Sequence, residues 1–109
     1  MTKITIYKSN EGNYTRFTCE GHSGYAESGY DIVCASISIL VINTINSMDE
    51  LVKEELKVVE DEKRGYIDCI FVNNISNDSK LLMDSMILGL QSIAEQCGKK
   101  YLRLKFKEV

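Results

Sequence analysis

The chain has no proline, no tryptophan and a single histidine, and aromatic residues make up only 8% of it. Without proline, no stiff extended linker exists, and every segment between glycines is free to adopt regular structure. Its four cysteines, Cys19, Cys34, Cys69 and Cys97, lie far apart and form no C-x-x-C pair. A structural zinc site needs ligands paired about two to four residues apart, so no metal is expected, and nothing points to a cofactor. Positive charge is also in short supply, with 13 Lys and Arg against 16 Asp and Glu and a net charge of −3. That balance argues against broad nucleic-acid binding driven by phosphate neutralisation. No long apolar run follows Lys3, so a signal peptide is not expected. The most apolar stretch, Ile32 to Ile42, is about half the length that crosses a bilayer. These absences predict a soluble cytoplasmic protein with no membrane partner and with reduced thiols.

What is present is one domain's worth of chain. The 109 residues, 44% of them apolar, suffice for a single core over residues 1–109. Residues 3–8 alternate, with Ile4 and Ile6 on one side and Thr5 and Tyr7 on the other, which is strand periodicity. Asn10 to Asn13 reads as a hairpin turn, and residues 14–20 alternate again with Phe17 and Cys19 sharing a face. From Ile32 to about Leu56 the spacing of Ile37, Val41, Ile45, Met48 and Val52 predicts a helix. Its first half is apolar on nearly every side. A surface helix would carry a polar face, so this half is expected to be deeply buried or to pack on a second chain, which predicts a homodimer.

Lys57 to Lys63 and Tyr66 to Val72 read as strands joined by a turn at Arg64-Gly65. A second helix is predicted from about Ser79 to Cys97, with Gly98 as its left-handed cap. A last strand follows from Tyr101 to Lys107, with Leu102, Leu104 and Phe106 facing in and Arg103, Lys105 and Lys107 facing out. The order β-β-α-β-β-α-β implies an α+β fold, a mixed or antiparallel sheet with two helices packed on one face.

The chemistry concentrates in Gly21 to Ser38, which reads Gly-His-Ser-Gly-Tyr-Ala-Glu-Ser-Gly-Tyr-Asp-Ile-Val-Cys-Ala-Ser-Ile-Ser. It holds the only histidine, His22, in a glycine-rich loop, and Cys34 twelve positions later. Free cysteines are usually buried small hydrophobes, and Cys19, Cys69 and Cys97 all fall on predicted apolar faces. Cys34 differs. With Asp31 as N-cap it lies in the opening turn of the helix, where unpaired N–H groups and the helix dipole stabilise a thiolate. An imidazole beside it activates the thiol and later protonates the leaving group. The first helical N–H groups, at or near Cys34 and Ala35, would hold the oxyanion of a tetrahedral intermediate.

The bland readings stand beside these. His22 is a polar loop residue, the glycines only form turns, and Asp31 caps the helix rather than orienting the imidazole. Ser38, one turn after Cys34, either lines a site with its hydroxyl or bonds back to the Cys34 carbonyl.

The eighteen-residue run resembles the signature of the ribosomal-processing cysteine protease (Prp) family of Firmicutes and related bacteria. Chain length, the opening hairpin, the long first helix and the closing helix and strand agree with that family as well. The resemblance implies that His22 and Cys34 are the catalytic dyad, and that Gly21, Asp31, Ala35 and Ser38 support the site. Ser36 departs from the smaller alanine or glycine usual there. The activity implied is removal of an N-terminal extension from the precursor of large-subunit ribosomal protein number twenty-seven, with cleavage after a pair of phenylalanines. The resemblance also implies a homodimer, and a loop over residues 22–33 that orders on substrate. Two other readings remain at this level. One is a non-catalytic ribosome-associated assembly factor, using the basic outer face of the last strand (Lys99, Lys100, Arg103, Lys105 and Lys107). The other is a redox sensor built on Cys34, weakened by the lack of a resolving cysteine nearby in sequence.

Overall fold

The computed structural model describes residues 1–21, 28–98 and 100–109, and for residues 28–31 the backbone alone. Strands β1 (Thr2–Lys8) and β2 (Tyr14–Glu20) form the opening hairpin, followed by helix α1 (Ser28–Ser47). Strands β3 (Leu56–Asp61) and β4 (Tyr66–Phe71) make a second hairpin, and α2 (Asn77–Cys97) and β5 (Leu102–Glu108) close the chain. The first turn is tied by Gly12 N–H to the Ser9 carbonyl at 2.9 Å and Ser9 N–H to the Asn13 carbonyl at 2.8 Å. Gly12 takes a φ of +85° that favours glycine.

The five strands lie in the order β3-β4-β2-β1-β5. Three neighbouring pairs are antiparallel, while β1 and β5 are parallel. The sheet is therefore mixed. The parallel step is forced by α2, which carries the chain back across the sheet before β5 begins. Register follows the alternation in the sequence. Ile4 is opposite Cys19 and Leu104, Ile6 is opposite Phe17, and Phe17 is opposite Cys69. These side chains share the face covered by the helices and pack with Ile37, Val41 and Met48 of the α1 region and Met83, Met86 and Leu90 of α2. The opposite face is polar. There Arg16 donates to Asp68 through Nε and Nη2 at 2.8 and 2.7 Å, and its guanidinium lies 5.1 Å from the Tyr7 ring. The two helices approach closely at Gly89, where a Cβ would sit 2.7 Å from a Leu40 methyl.

Several boundaries differ from the sequence expectation. The first helix starts at Ser28, four residues before the predicted Ile32, because its opening turn is polar and the hydrophobic period marks only its buried part. Its α-helical part stops at Ser47. A single π-helical turn, Met48–Val52, follows, ended by Lys53 in the left-handed conformation with φ of 62°. Helix α2 starts at Asn77 behind an N-cap at Ser76, whose hydroxyl accepts from Ser79 N–H at 3.2 Å. Gly98 closes it at φ of +95° with its N–H on the Ala94 carbonyl, but its ψ of 157° is extended rather than left-handed helical. Phe106 keeps its place in register with Ile6 yet is about half exposed. It lies on an edge strand past the last residues that α2 covers, with Lys8 Nζ 5.8 Å from its ring.

The segment Ile32–Val52 is long and apolar enough to cross a membrane by length and composition alone. Here it serves as the core helix of the sheet layer, with Ile37, Val41 and Met48 fully buried.

Candidate active site

The site is built at the end of the sheet where β1 begins and β2 ends. Thr2 lies on the helix-covered face by the same alternation that buries Ile4 and Ile6, and it is fully buried. Its N–H is held by the Tyr101 carbonyl at 2.9 Å, and its Oγ1 donates to the Gly21 carbonyl at 3.5 Å. Gly21 has φ of +86°, and a Cβ there would meet the Met1 carbonyl oxygen at 2.5 Å, so only glycine fits this corner. Gly21 N–H donates to the Gly65 carbonyl at 3.0 Å, tying the end of β2 to the β3–β4 turn.

Cys34 comes down onto this corner from α1. Its side chain is 3% exposed, with Sγ 4.0 Å from Thr2 Oγ1. Cys19 lies close enough that charge on Cys34 acts on it. Burial first, and that neighbouring charge second, push the Cys19 thiol up to about 12. Cys69, deep under the helices, is also pushed up to about 12, by burial and then by Asp68. Thiols held so high stay protonated at neutral pH and are poor nucleophiles, so both act as core. Cys97 is half-buried at the edge of the core. Sequence spacing had put no resolving thiol near Cys34. The fold places Cys19 beside it, though buried and protonated.

The expected site residues stand as follows. Gly21 and Cys34 are brought to one corner. Ser38 is half-buried one turn along α1, and Ala35 is exposed. His22 lies outside the described residues, as does the first half of the loop read as a lid over 22–33; the remainder of that stretch, from Ser28, is helical. Asp31 was read as the N-cap. With the helix starting at Ser28, the Asp31 backbone stands inside the helix rather than at its N-cap position. Cys34 and Ala35 correspondingly move into the second turn. Amides there are engaged by carbonyls four residues back, so the oxyanion donors expected at these two residues are not free helix-terminal N–H groups.

Three contributors escaped the sequence reading: Thr2, Cys19 and Gly65. The alternation Thr2, Ile4, Ile6 carried the signal for Thr2, since it sets that hydroxyl on the covered face. Gly65 and Cys19 reach the corner only through strand pairing. Among the described residues no cluster of His, Cys, Asp and Glu is arranged to hold a metal.

Comparison with known proteins identifies the family. A family model described as cysteine protease Prp matches residues 1–102. The chain belongs to the Prp family of cysteine proteases. A Bacillus subtilis relative named ribosomal processing cysteine protease Prp is 30% identical over 108 residues, spanning 95% of this chain and 96% of its own. The crystal structure of an essential ribosomal processing protease Prp from S. aureus in complex with a substrate peptide matches with a TM-score of 0.90. It is 27% identical and covers 98% of this chain and 100% of its own. A second S. aureus Prp structure, with a covalently linked product peptide, gives a TM-score of 0.87 at 28% identity, with 98% and 100% covered. The single-domain mixed sheet with two helices is thus the Prp fold.

Proposed function

We infer that this Prp-family protein is a cysteine endopeptidase in which Cys34 is the nucleophile and His22 its acid–base partner. The observation carrying the reading is the placement of Cys34. It is the thiol in the second turn of α1, set on the corner formed by Thr2 and Gly21, while Cys19 and Cys69 are locked as protonated core groups. In this reading His22, next in chain after Gly21, takes the Cys34 proton. The Sγ attacks the scissile carbonyl, the tetrahedral intermediate collapses as His22 protonates the leaving amine, and water then releases the acyl chain. The covalently linked product peptide named for the S. aureus structure supports such an acyl-enzyme. Because Cys34 is 3% exposed, substrate reaches Sγ only after groups around it move. Asp31 orients the imidazole or complements the dipole of α1, and Ser38 lines the site.

The substrate in this reading is the precursor of large-subunit ribosomal protein number twenty-seven, cut after a Phe-Phe pair in the cytoplasm. The relatives' names support ribosomal processing. A homodimer is the working form, since α1 turns Ile32 and Ile39, each 70% exposed, to the outside. The test is incubation with the extended precursor and mass spectrometry of the products. Cleavage after the pair, abolished in both Cys34→Ala and His22→Ala, is the expected result. Full activity in Cys34→Ala would overturn the assignment and leave the non-catalytic assembly-factor reading standing.

A further inference from the structure

Strand β5 is an edge of the sheet, with β1 on one side only. Its two ends fix where its main chain points. The Tyr101 carbonyl accepts from Thr2 N–H at 2.9 Å, and Val109 N–H donates to the Lys8 carbonyl at 2.8 Å. Odd-numbered residues of this stretch therefore turn their main-chain groups to β1. Leu102, Leu104, Phe106 and Glu108 turn theirs to the free edge, because successive residues of a strand address opposite sides.

The side chains sort by the same alternation. Arg103, Lys105 and Lys107 are exposed on the open face of the sheet. Among the described residues none of the three is in an ion pair. Leu102, Leu104 and Phe106 lie on the helix-covered face, beside a largely apolar groove of about 760 Å³ between β5 and α2. Helix α2 contributes Gln91, Ala94 and Glu95 to this groove, and β5 contributes Leu102 through Phe106. Its one carboxylate, Glu95, stands on the helix side, away from the strand. A second hollow of about 330 Å³ shares Phe106 and continues past Lys107 and Glu108 to the first turn. Unpaired backbone, an apolar groove and a row of like charges thus run together along one strand. The other edge, β3, carries Lys57, Val59 and Asp61 on its open face and so has no row of one sign.

Cations along an edge also guard against chance pairing between copies. In an antiparallel pairing of two β5 strands, cations would oppose cations. A guard alone needs no hollow beside the strand, and a half-exposed Phe106 weakens it. Groove and cations together select: a like strand is repelled, and a strand bearing carboxylates is drawn in.

We propose that the β5 edge is a docking site for an extended segment of a partner protein in which apolar and acidic residues alternate. The segment adds to the sheet as a further strand, its main chain bonded to the outward groups of Leu102, Leu104 and Phe106. Its apolar side chains enter the groove beside α2, and its carboxylates lie beside Arg103, Lys105 and Lys107. Charge names this occupant, since the edge is positive on a chain whose net charge is −3. The groove includes none of Thr2, Gly21 and Cys34, so docking is separate from the corner described above.

The test measures binding of fluorescent hexapeptides to the full chain by anisotropy. One peptide alternates valine and glutamate, a second alternates valine and lysine, and a third has three valines followed by three glutamates. The first is expected to bind at least about tenfold tighter than the other two, the like-charge and broken-pattern controls. Lys105→Glu is expected to weaken the valine-glutamate peptide about tenfold and to strengthen the valine-lysine one. Phe106→Ser is expected to weaken the first peptide, and Lys57→Glu on the other edge to leave it unchanged. No binding, equal affinity for the three peptides, or no effect of either β5 variant overturns the proposal. So does tighter binding of single-stranded oligouridylate that is lost in Lys105→Glu and kept in Phe106→Ser, which would give the cations to nucleic acid. Self-association in sedimentation that Lys105→Glu abolishes overturns it as well, making the edge a contact between copies.

Discussion

At the residue scale, thiols on different elements are divided into different chemistry by position alone. Cys19 and Cys69 are fully buried under the helices, and burial holds their protons. Cys34 touches the Thr2 hydroxyl at the end of the sheet. The corner it rests on depends on Gly21, whose φ of +86° and 2.5 Å approach to the Met1 carbonyl leave no room for a Cβ. Gly21→Ala is expected to cost more than about 1 kcal/mol, the scale for alanine forced to positive φ. For a domain of this size that lowers Tm by about 4 °C or more. Because Thr2 Oγ1 also donates to the Gly21 carbonyl, the same variant is expected to alter the rate at which iodoacetamide modifies Cys34. Thermal unfolding and timed alkylation with mass spectrometry check the two outcomes. Gly21 and Cys34, which the fold brings to one corner, were both legible as candidates in the run Gly21 to Ser38. The partner side chain Thr2 was not, since it lies 32 positions from Cys34 and only sheet pairing brings the two together.

At the element scale, the joints between helices carry information that hydrophobic period does not. The π-helical turn Met48–Val52 and the left-handed Lys53 deliver Glu54 to the N-terminus of α2. There the Glu54 carboxylate accepts from Ser76 N–H at 3.2 Å and Ser76 Oγ at 2.7 Å. Burial pushes this carboxyl up, but the Ser79 side chain and both Ser76 donors together outweigh it and hold it below the ordinary glutamate value of 4.5. A carboxyl lowered on folding contributes stability that is complete above its unfolded value and is lost as pH falls through its folded one. Wild-type stability is therefore expected to drop on acidification below about pH 4.5. Glu54→Gln is expected to flatten that part of the profile, read by denaturant unfolding at a series of pH values. The sequence pattern located both helices. It set the start of α1 too late because the first apolar residue is not the first helical one, and it ran one helix through Met48–Val52 because a π-turn keeps the same residues apolar.

At the scale of the whole molecule, the layer arrangement leaves one helix with two apolar sides. Ile37, Val41 and Met48 are sealed against the sheet, while Ile32 and Ile39 face outward at 70% exposure. In the homodimer proposed above, a second copy covers that outer side. Ile39→Asp is accordingly expected to shift the protein from dimer to monomer in analytical ultracentrifugation, with its circular dichroism unchanged. The opposite, polar face of the sheet holds together differently, through the bidentate Arg16–Asp68 pair.

The sequence by itself determined the strand and helix order, the apolar faces of β2 and β4, and the glycine-histidine and cysteine run that resembles the family's signature, because alternation, helical period and motif spacing are local properties. Tertiary structure alone decided that β5 joins parallel to β1 and that Thr2 and Cys19 meet Cys34. It also decided that β3 and β5 are the edges of the sheet. Each of these depends on which distant segments pair, and no local pattern encodes that.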